Sequence, residues 1–122
     1  MVVGRKGGGM RYKDLIVWQK SMDLVDKVYD LSSVFPEQEK FVLWSQLTRA
    51  AISIPSNIAE GSGRTTPKDF VRFLSIARGS LYELSTQIEI AERRGYFRVT
   101  DELKFLLDEI AMMLTKMVNR KV

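Results

Sequence analysis

The sequence predicts an all-α protein, a four-helix bundle whose helices run up, down, up and down. Apolar residues recur at steps of three and four along four segments, and the connections between these segments are short. In the second segment, residues 46–63 (QLTRAAISIPSNIAEGSG), a polar stripe lies beside the apolar one, so this helix has two sets of neighbours. We therefore expect a packed bundle that associates with further copies of itself.

The first predicted helix follows Tyr12 and carries a broad apolar face made of two neighbouring stripes. The longer stripe comprises Leu15, Trp18, Met22, Val25 and Tyr29, and the shorter one comprises Val17, Leu24, Val28 and Leu31. The helix ends at Phe35 and Pro36, because a residue that precedes proline is pushed out of the helical region.

The second helix begins among residues 36–39 and ends at Gly61 and Gly63. Its apolar stripe passes Pro55, which removes one backbone hydrogen bond and should bend the axis. Two short helices broken at Ile54 are the alternative. The apolar period continues in phase beyond the proline, however, which favours one bent helix.

The third helix has the clearest start signal, with Thr66 as N-cap, Pro67 at the first helical position and Asp69 three residues after the cap. Its heptad seam comprises Phe70, Leu74, Ala77, Leu81, Leu84, Ile88 and Ala91. Gly79 interrupts this helix at a cost of about 1 kcal/mol relative to alanine, so we expect a close contact there, either with the Pro55 bend or with a neighbouring subunit. The stripe of the fourth helix comprises Leu103, Leu106, Ile110, Met113 and Met117.

The amino-acid composition excludes several classes of function. The chain has 122 residues, 19 basic and 15 acidic side chains, a net charge of +4, and neither cysteine nor histidine. Disulfides, thiolate chemistry, imidazole catalysis and the common zinc sites are thereby excluded, and so is a Glu-x-x-His di-iron site. We expect no enzyme activity, catalytic residue, metal or cofactor. No apolar run is long enough to span a bilayer, so we expect a cytoplasmic protein without membrane contact.

We expect residues 12–122 to form one bundle domain and the glycine-rich residues 1–11 to be a disordered N-terminal extension. The run RKGGG before Met10 is also what a translated ribosome-binding site would encode, because Arg, Lys and Gly have purine-rich codons. Met1 and Met10 therefore both remain candidate start residues.

The stretch from Leu15 to Phe97 contains FPEQE, SIPSNIAEG, FLSIARGSLYEL and RGYF. In these motifs it resembles the four-helix bundle protein family, also called 23S ribosomal RNA intervening-sequence proteins, whereas the fourth helix resembles the family only in general pattern. The resemblance implies a bundle that assembles as a cyclic homopentamer. It also implies a relation to the accessory variability proteins of diversity-generating retroelements, which bind nucleic acid and a reverse transcriptase through a positively charged pentameric barrel.

The polar stripe of the second helix is interpreted as a hydrogen-bond network, either internal or between subunits, rather than as a catalytic site. If helices two and three are antiparallel, Arg49 lies near Glu83, and Glu60 lies near Lys68 and Arg72, so that opposite charges face each other. The predicted network comprises Arg49, Ser53, Asn57, Glu60 and Glu83.

The function favoured by the resemblance is binding of RNA or DNA through a basic surface. Its candidate contacts are Arg64, Lys68, Arg72 and Arg78. Arg93, Arg94 and Arg98 form a second basic group beside Tyr96 and Phe97, whose rings either stack on bases or plug the core; after a helix end the second role is the commoner. A basic helix is more often a solvated face, but five copies in a ring would sum to a strong field.

A structural or protein-interaction scaffold that does not bind nucleic acid is the alternative. In that case the exposed apolar remainder of the first helix, Val17, Leu24 and Leu31, would dock another protein.

Overall fold

The computed structural model describes residues 11–121, with side chains for residues 11–120. Within that range it contains four α-helices and no strand: α1 (Ile16–Tyr29), α2 (Leu43–Ser62), α3 (Pro67–Arg93) and α4 (Asp101–Lys121). A 3-10 turn at Tyr12–Asp14 precedes α1, and two more, Ser32–Val34 and Glu37–Glu39, lie between α1 and α2. The predicted all-α, four-helix fold is confirmed. The expected disordered extension falls almost entirely outside the described residues.

Neighbouring helices are antiparallel, which determines what meets at each end of the bundle. Lys20 pairs with Glu109 and Lys27 pairs with Glu102, so α4 runs opposite to α1. A four-residue connection, residues 63–66, turns α2 back into α3. One end of the bundle therefore holds the start of α1, the α2–α3 connection and the end of α4. The opposite end holds the α1–α2 and α3–α4 connections.

All four helices contribute to the core. Its largest fully buried apolar side chains are Leu24, Leu47, Ile54, Ile58, Leu74, Leu81, Leu84, Ile110 and Leu114. The heptad seam predicted for α3 is buried from Leu74 to Ala91, which confirms the phase of that helix.

The shorter stripe of α1 is buried in the core, whereas the longer stripe lies at its edge, with Leu15, Trp18 and Val25 only partly buried. Val17, Leu24 and Val28 are buried, whereas Met22 and Tyr29 of the longer stripe are 38% and 50% exposed. The expectation that Val17 and Leu24 form an exposed docking surface is therefore wrong. The physical reason is burial: placing Val17, Leu24 and Val28 in the core stabilises the fold more than the partly exposed Lys20 and Lys27 ion pairs do. The polar Ser21 is accommodated in the core because its hydroxyl donates to the Val17 carbonyl oxygen at 2.7 Å.

Pro55 lies inside a single continuous helix, as predicted. It is buried, and α2 extends from Leu43 to Ser62 without interruption. The favourable burial of its ring and of Ile54 and Ile58 offsets the lost backbone hydrogen bond.

Aromatic rings close the end of the bundle that holds the α1–α2 and α3–α4 connections. The Phe35 ring lies 5.1 Å from Trp44, 5.6 Å from Tyr96 and 6.1 Å from Phe97, measured between ring centroids. The Tyr96 hydroxyl donates to Glu39 Oε2 at 2.7 Å, while Glu39 Oε1 accepts the hydrogen bond of the Leu43 amide at 3.3 Å. Tyr96 thus orients the carboxylate that satisfies a free amide at the start of α2.

Two helical glycines differ sharply in their surroundings. A Cβ atom added to Gly61 would lie 2.7 Å from Phe73 Cβ and 3.0 Å from Phe70 Cδ1, so this glycine allows α3 to approach α2. A Cβ added to Gly79 would meet nothing within 4 Å. The expectation that Gly79 contacts the Pro55 bend is therefore wrong, and no contact within the described chain requires a glycine there.

The two glycines generate a matched prediction for the stability of the subunit. Gly61→Ala should lower the free energy of unfolding by about 1–3 kcal/mol, because the new methyl group overlaps Phe73. Gly79→Ala should raise it by about 1 kcal/mol, because alanine favours the helix and finds open space. Urea denaturation followed by circular dichroism, at a dilution where the subunit is monomeric, measures both. A destabilising Gly79→Ala would show that the space around Gly79 is not open.

A second prediction concerns pH. The hydrogen bond to the Glu39 carboxylate raises the pKa of Tyr96 above its ordinary value of 10.0. A raised folded-state pKa means that the bond stabilises the fold fully below about pH 10 and that this contribution is lost as pH rises through the folded-state pKa. Tyr96→Phe should therefore lower the Tm at pH 8, and its deficit relative to wild type should shrink above pH 10. Glu39→Gln provides the control: in that background Tyr96→Phe should show a smaller deficit, with little change in the same pH interval.

Candidate nucleic-acid interface

The start of α3 places the predicted basic residues. Thr66 caps the helix, its hydroxyl accepting the hydrogen bond of the Asp69 amide at 3.1 Å, and Pro67 occupies the first turn. This confirms the predicted start signal. Because the helix begins immediately after the α2–α3 connection, Lys68 and Arg72 lie near Arg64 at one end of the bundle.

Two of these arginines lie against one aromatic ring. The guanidinium carbons of Arg64 and Arg72 lie 4.7 Å and 4.6 Å from the centroid of Phe73. Each arginine also forms an ion pair along its own helix or connection, Arg64 with Glu60 at 2.6 Å and Arg72 with Asp69 at 3.3 Å. Cation–π contact and ion pairing together hold both guanidinium groups in place. We call Arg64, Phe73 and Arg72 the arginine clasp.

The other two predicted contacts lie in different surroundings. Lys68 is exposed and forms no ion pair with any residue from 11 to 121. Arg78 is half-buried and donates to the Thr115 hydroxyl on α4 at 3.3 Å. Arg78 follows Arg72 by six residues. Because each residue turns an α-helix by about 100°, these two positions lie about 120° apart around the α3 axis. The four predicted residues therefore do not form one surface: Arg78 faces the α3–α4 side.

Within a single subunit, the structure forms only part of the predicted polar network. Ser53 and Ser80 hydroxyls are 2.8 Å apart across α2 and α3, and the Asn57 amide donates to the Ser53 hydroxyl at 2.9 Å. Arg49 and Glu83 are exposed, and within the described chain neither forms an ion pair.

Glu60, also assigned to that network, lies at its edge. Its carboxylate pairs with Arg64 rather than with Lys68 or Arg72. The reason is local, because Arg64 lies four residues after Glu60 and so shares its helical face.

The fold gathers further basic residues at the end that carries the arginine clasp. The segments that meet there are residues 11–14, 60–72 and 116–120, and together they hold seven basic and three acidic side chains, a net charge of +4. We call this the basic end. Its basic members are Arg11, Lys13, Arg64, Lys68, Arg72, Lys116 and Arg120. The remaining described side chains, those of residues 15–59 and 73–115, include nine basic and twelve acidic groups, a net charge of −3.

Four members of the basic end were not predicted from the sequence, because they are remote from the others in the chain. Arg11 and Lys13 precede α1, whereas Lys116 and Arg120 lie in the last turns of α4. The antiparallel arrangement of α1 and α4, which the Lys20–Glu109 pair shows, brings these two segments to the same end. The sequence could have identified these four residues through the predicted up-down-up-down topology, because that topology places both segments beside the α2–α3 connection.

The second basic group lies among acidic and aromatic neighbours. Arg93 pairs with Glu89 at 2.9 Å. Tyr96 and Phe97 are half-buried and pack on Phe35, which agrees with a packing role for both rings rather than one in base stacking. Arg98 remains exposed.

Two further features are absent from the described residues, namely a metal-binding cluster and a membrane-spanning helix. No cluster of three or more acidic side chains among residues 11–121 has a geometry that could hold a metal ion. None of the helices in this range combines the length and the apolar character needed to cross a membrane.

Comparisons with known proteins identify a matching protein family and a similar solved structure. The family described as 23S rRNA-intervening sequence protein matches residues 13–116. The fold is similar to a crystal structure, at 1.70 Å resolution, of a protein with unknown function from the S23 ribosomal protein family of Bacteroides thetaiotaomicron VPI-5482. The TM-score is 0.75 at 25% sequence identity, and the match covers 90% of this chain and 99% of that one. A search of curated proteins returned no significant match.

Proposed function

The chain belongs to the 23S rRNA-intervening sequence protein family, and on that premise we propose that it binds RNA or DNA, without catalysis, through the basic end of its bundle. The observation that supports this proposal is the separation of charge: a net +4 at one end against −3 over the rest of the described chain. A separated charge attracts a phosphate backbone more strongly than the same charge spread evenly.

The arginine clasp suits phosphate contacts. A guanidinium group has five N–H donors, and Arg64 uses one of them on Glu60. Its remaining donors are available to phosphate oxygens. Because Phe73 and the paired carboxylates hold both arginines in place, binding costs less side-chain entropy than it would for free arginines. Lys68 adds an unpaired charge beside them.

We further propose that copies of the chain assemble as a cyclic homopentamer in the cytoplasm. Two exposed surfaces support association. One is an apolar groove of about 340 Å³ between α1 and α2, whose lining includes Trp18, Met22, Ile52 and Pro55. The other is the outer stripe of α3, where Ile76 and Ile90 are 42% and 43% exposed. Cyclic symmetry would repeat the basic end five times around one axis and sum its field.

A protein-interaction scaffold is the second candidate function. The same groove between α1 and α2 favours it, because an exposed apolar groove is a common docking site. In this candidate the docking surface consists of the longer stripe of α1, with Trp18, Met22 and Val25, in place of the buried Val17 and Leu24.

Charge reversal at the two ends of the bundle tests nucleic-acid binding. The double variant Lys68→Glu, Lys116→Glu should weaken binding of a fluorescein-labelled RNA hairpin by tenfold or more, because it removes two cations that face phosphate groups at the basic end. Filter binding over a salt series should also show a shallower slope, by about 0.7–0.9 for each cation removed.

Arg98→Glu, Lys104→Glu is the matched control, since it changes the net charge equally at the opposite end. Its affinity should stay within about threefold of wild type, allowing for long-range charge effects. Equal losses in the two variants, or wild-type binding that does not depend on salt, would contradict the proposal.

Light scattering tests assembly. The wild type should have about five times the subunit mass of 14.0 kDa at micromolar concentration. Gly79→Leu should reduce that mass, because a large side chain would stand out from the α3 stripe into the neighbouring subunit, while the open space around Gly79 leaves the subunit itself folded. A single 14.0 kDa species for the wild type, or an unchanged oligomer for the variant, would count against the ring.

A further inference from the structure

A second groove, between α1 and α4, has a chemistry opposite to that of the basic end. Its volume is about 470 Å³, and its lining includes the largely buried Leu106 and the exposed ring of Phe105. The rest of the lining is charged. Seven side chains contribute: Lys20, Asp23, Asp26, Lys27, Asp30, Glu102 and Glu109.

Both lysines of this groove already form ion pairs. Lys20 pairs with Glu109 at 3.3 Å and Lys27 pairs with Glu102 at 3.0 Å, each across the groove from α1 to α4. The carboxylates of Asp23, Asp26 and Asp30 form no ion pair with any described residue. The groove therefore carries a net charge of −3, and all of the uncompensated charge lies on one helix.

The helix dipole of α1 does not favour two of these three carboxylates. Asp26 lies in the last turn of α1 and Asp30 is its C-cap. The backbone dipole presents partial negative charge at this end of a helix, so acidic side chains are unfavourable there. Lysine or arginine would interact more favourably with the helix dipole at these two positions.

Phe105 adds an anchor beside the unpaired charge. It is 68% exposed and lines the groove, whereas the neighbouring Leu106 is buried. It lies between Glu102 and Glu109 on the same face of α4, at spacings of three and four residues. An aromatic face beside carboxylates binds guanidinium and ammonium groups, through cation–π attraction and charge-assisted hydrogen bonds.

We propose that the groove between α1 and α4 docks an arginine- or lysine-rich segment of a partner protein. Charge complementarity identifies the occupant. Asp23, Asp26 and Asp30 follow steps of three and four and span about 10 Å, which matches basic side chains at the same steps on a partner helix. A negative groove repels nucleic acid, so the basic end and this groove serve different partners. Docking in the groove does not depend on nucleic-acid binding at the basic end.

Fluorescence anisotropy tests whether the groove binds a labelled helical peptide that carries arginines at steps of three and four. The comparison peptide has each arginine replaced by glutamate. Wild type should bind the arginine peptide only, more weakly as salt rises. The triple variant Asp23→Asn, Asp26→Asn, Asp30→Asn should lose at least about tenfold in affinity. Phe105→Ala should lose about threefold, as expected for one exposed cation–π contact.

The matched control is Asp14→Asn, Glu37→Gln, Glu83→Gln, which removes three exposed carboxylates that do not line the groove. It should stay within about twofold of wild type. Circular dichroism should be unchanged in the groove variants and RNA-hairpin binding should not weaken, so failure here is distinct from failure of nucleic-acid binding. Equal losses in the two triple variants, unchanged binding by Phe105→Ala, or no wild-type binding at low salt would overturn the proposal. A change of oligomeric mass in the groove triple variant without peptide binding would also overturn it, since a second copy would then be the occupant.

Discussion

The close packing of α2 against α3 is the constraint on which the rest of the structure depends. These two helices form the most extensive contact in the bundle, and small residues allow it: Gly61 admits Phe73, and Ser53 meets Ser80 at hydrogen-bond distance. Phe73 in turn supports Arg64 and Arg72. The candidate interface is therefore a consequence of helix packing, since the ring that orders the arginines is held by the same contact that joins the helices.

The two ends of the bundle are built differently, and the difference suits the proposed function. Packed rings around Phe35 and the Tyr96–Glu39 hydrogen bond close one end and order its connections. The other end has a short connection, a capped helix start and unpaired basic side chains. Rigidity at the first end stabilises the fold, whereas the second leaves Lys68 and its basic neighbours facing solvent, where phosphate groups can reach them.

Charge is separated around the bundle as well as along it. Five acidic residues line the groove between α1 and α4, although the chain as a whole is basic. A uniformly basic protein would attract nucleic acid on every side. In the proposed function, one repelling flank makes the basic end the preferred contact for nucleic acid and leaves the acidic flank for partners of the opposite charge. On this proposal, long-range electrostatics would orient the chain before any specific contact forms.

The sequence by itself determined the number of helices, the start of α3 at Thr66 and Pro67, and the continuity of α2 through Pro55. These features depend on periodicity, capping and backbone geometry, which are local. It also identified three members of the basic end, because Arg64, Lys68 and Arg72 are close in the chain. Only the tertiary structure decided which stripe of α1 faces the core, that Arg78 turns toward α4, and that Lys116 joins the basic end. Periodicity gives the phase of residues within a helix, but the rotation of that helix and the identity of its neighbours depend on packing between segments distant in sequence.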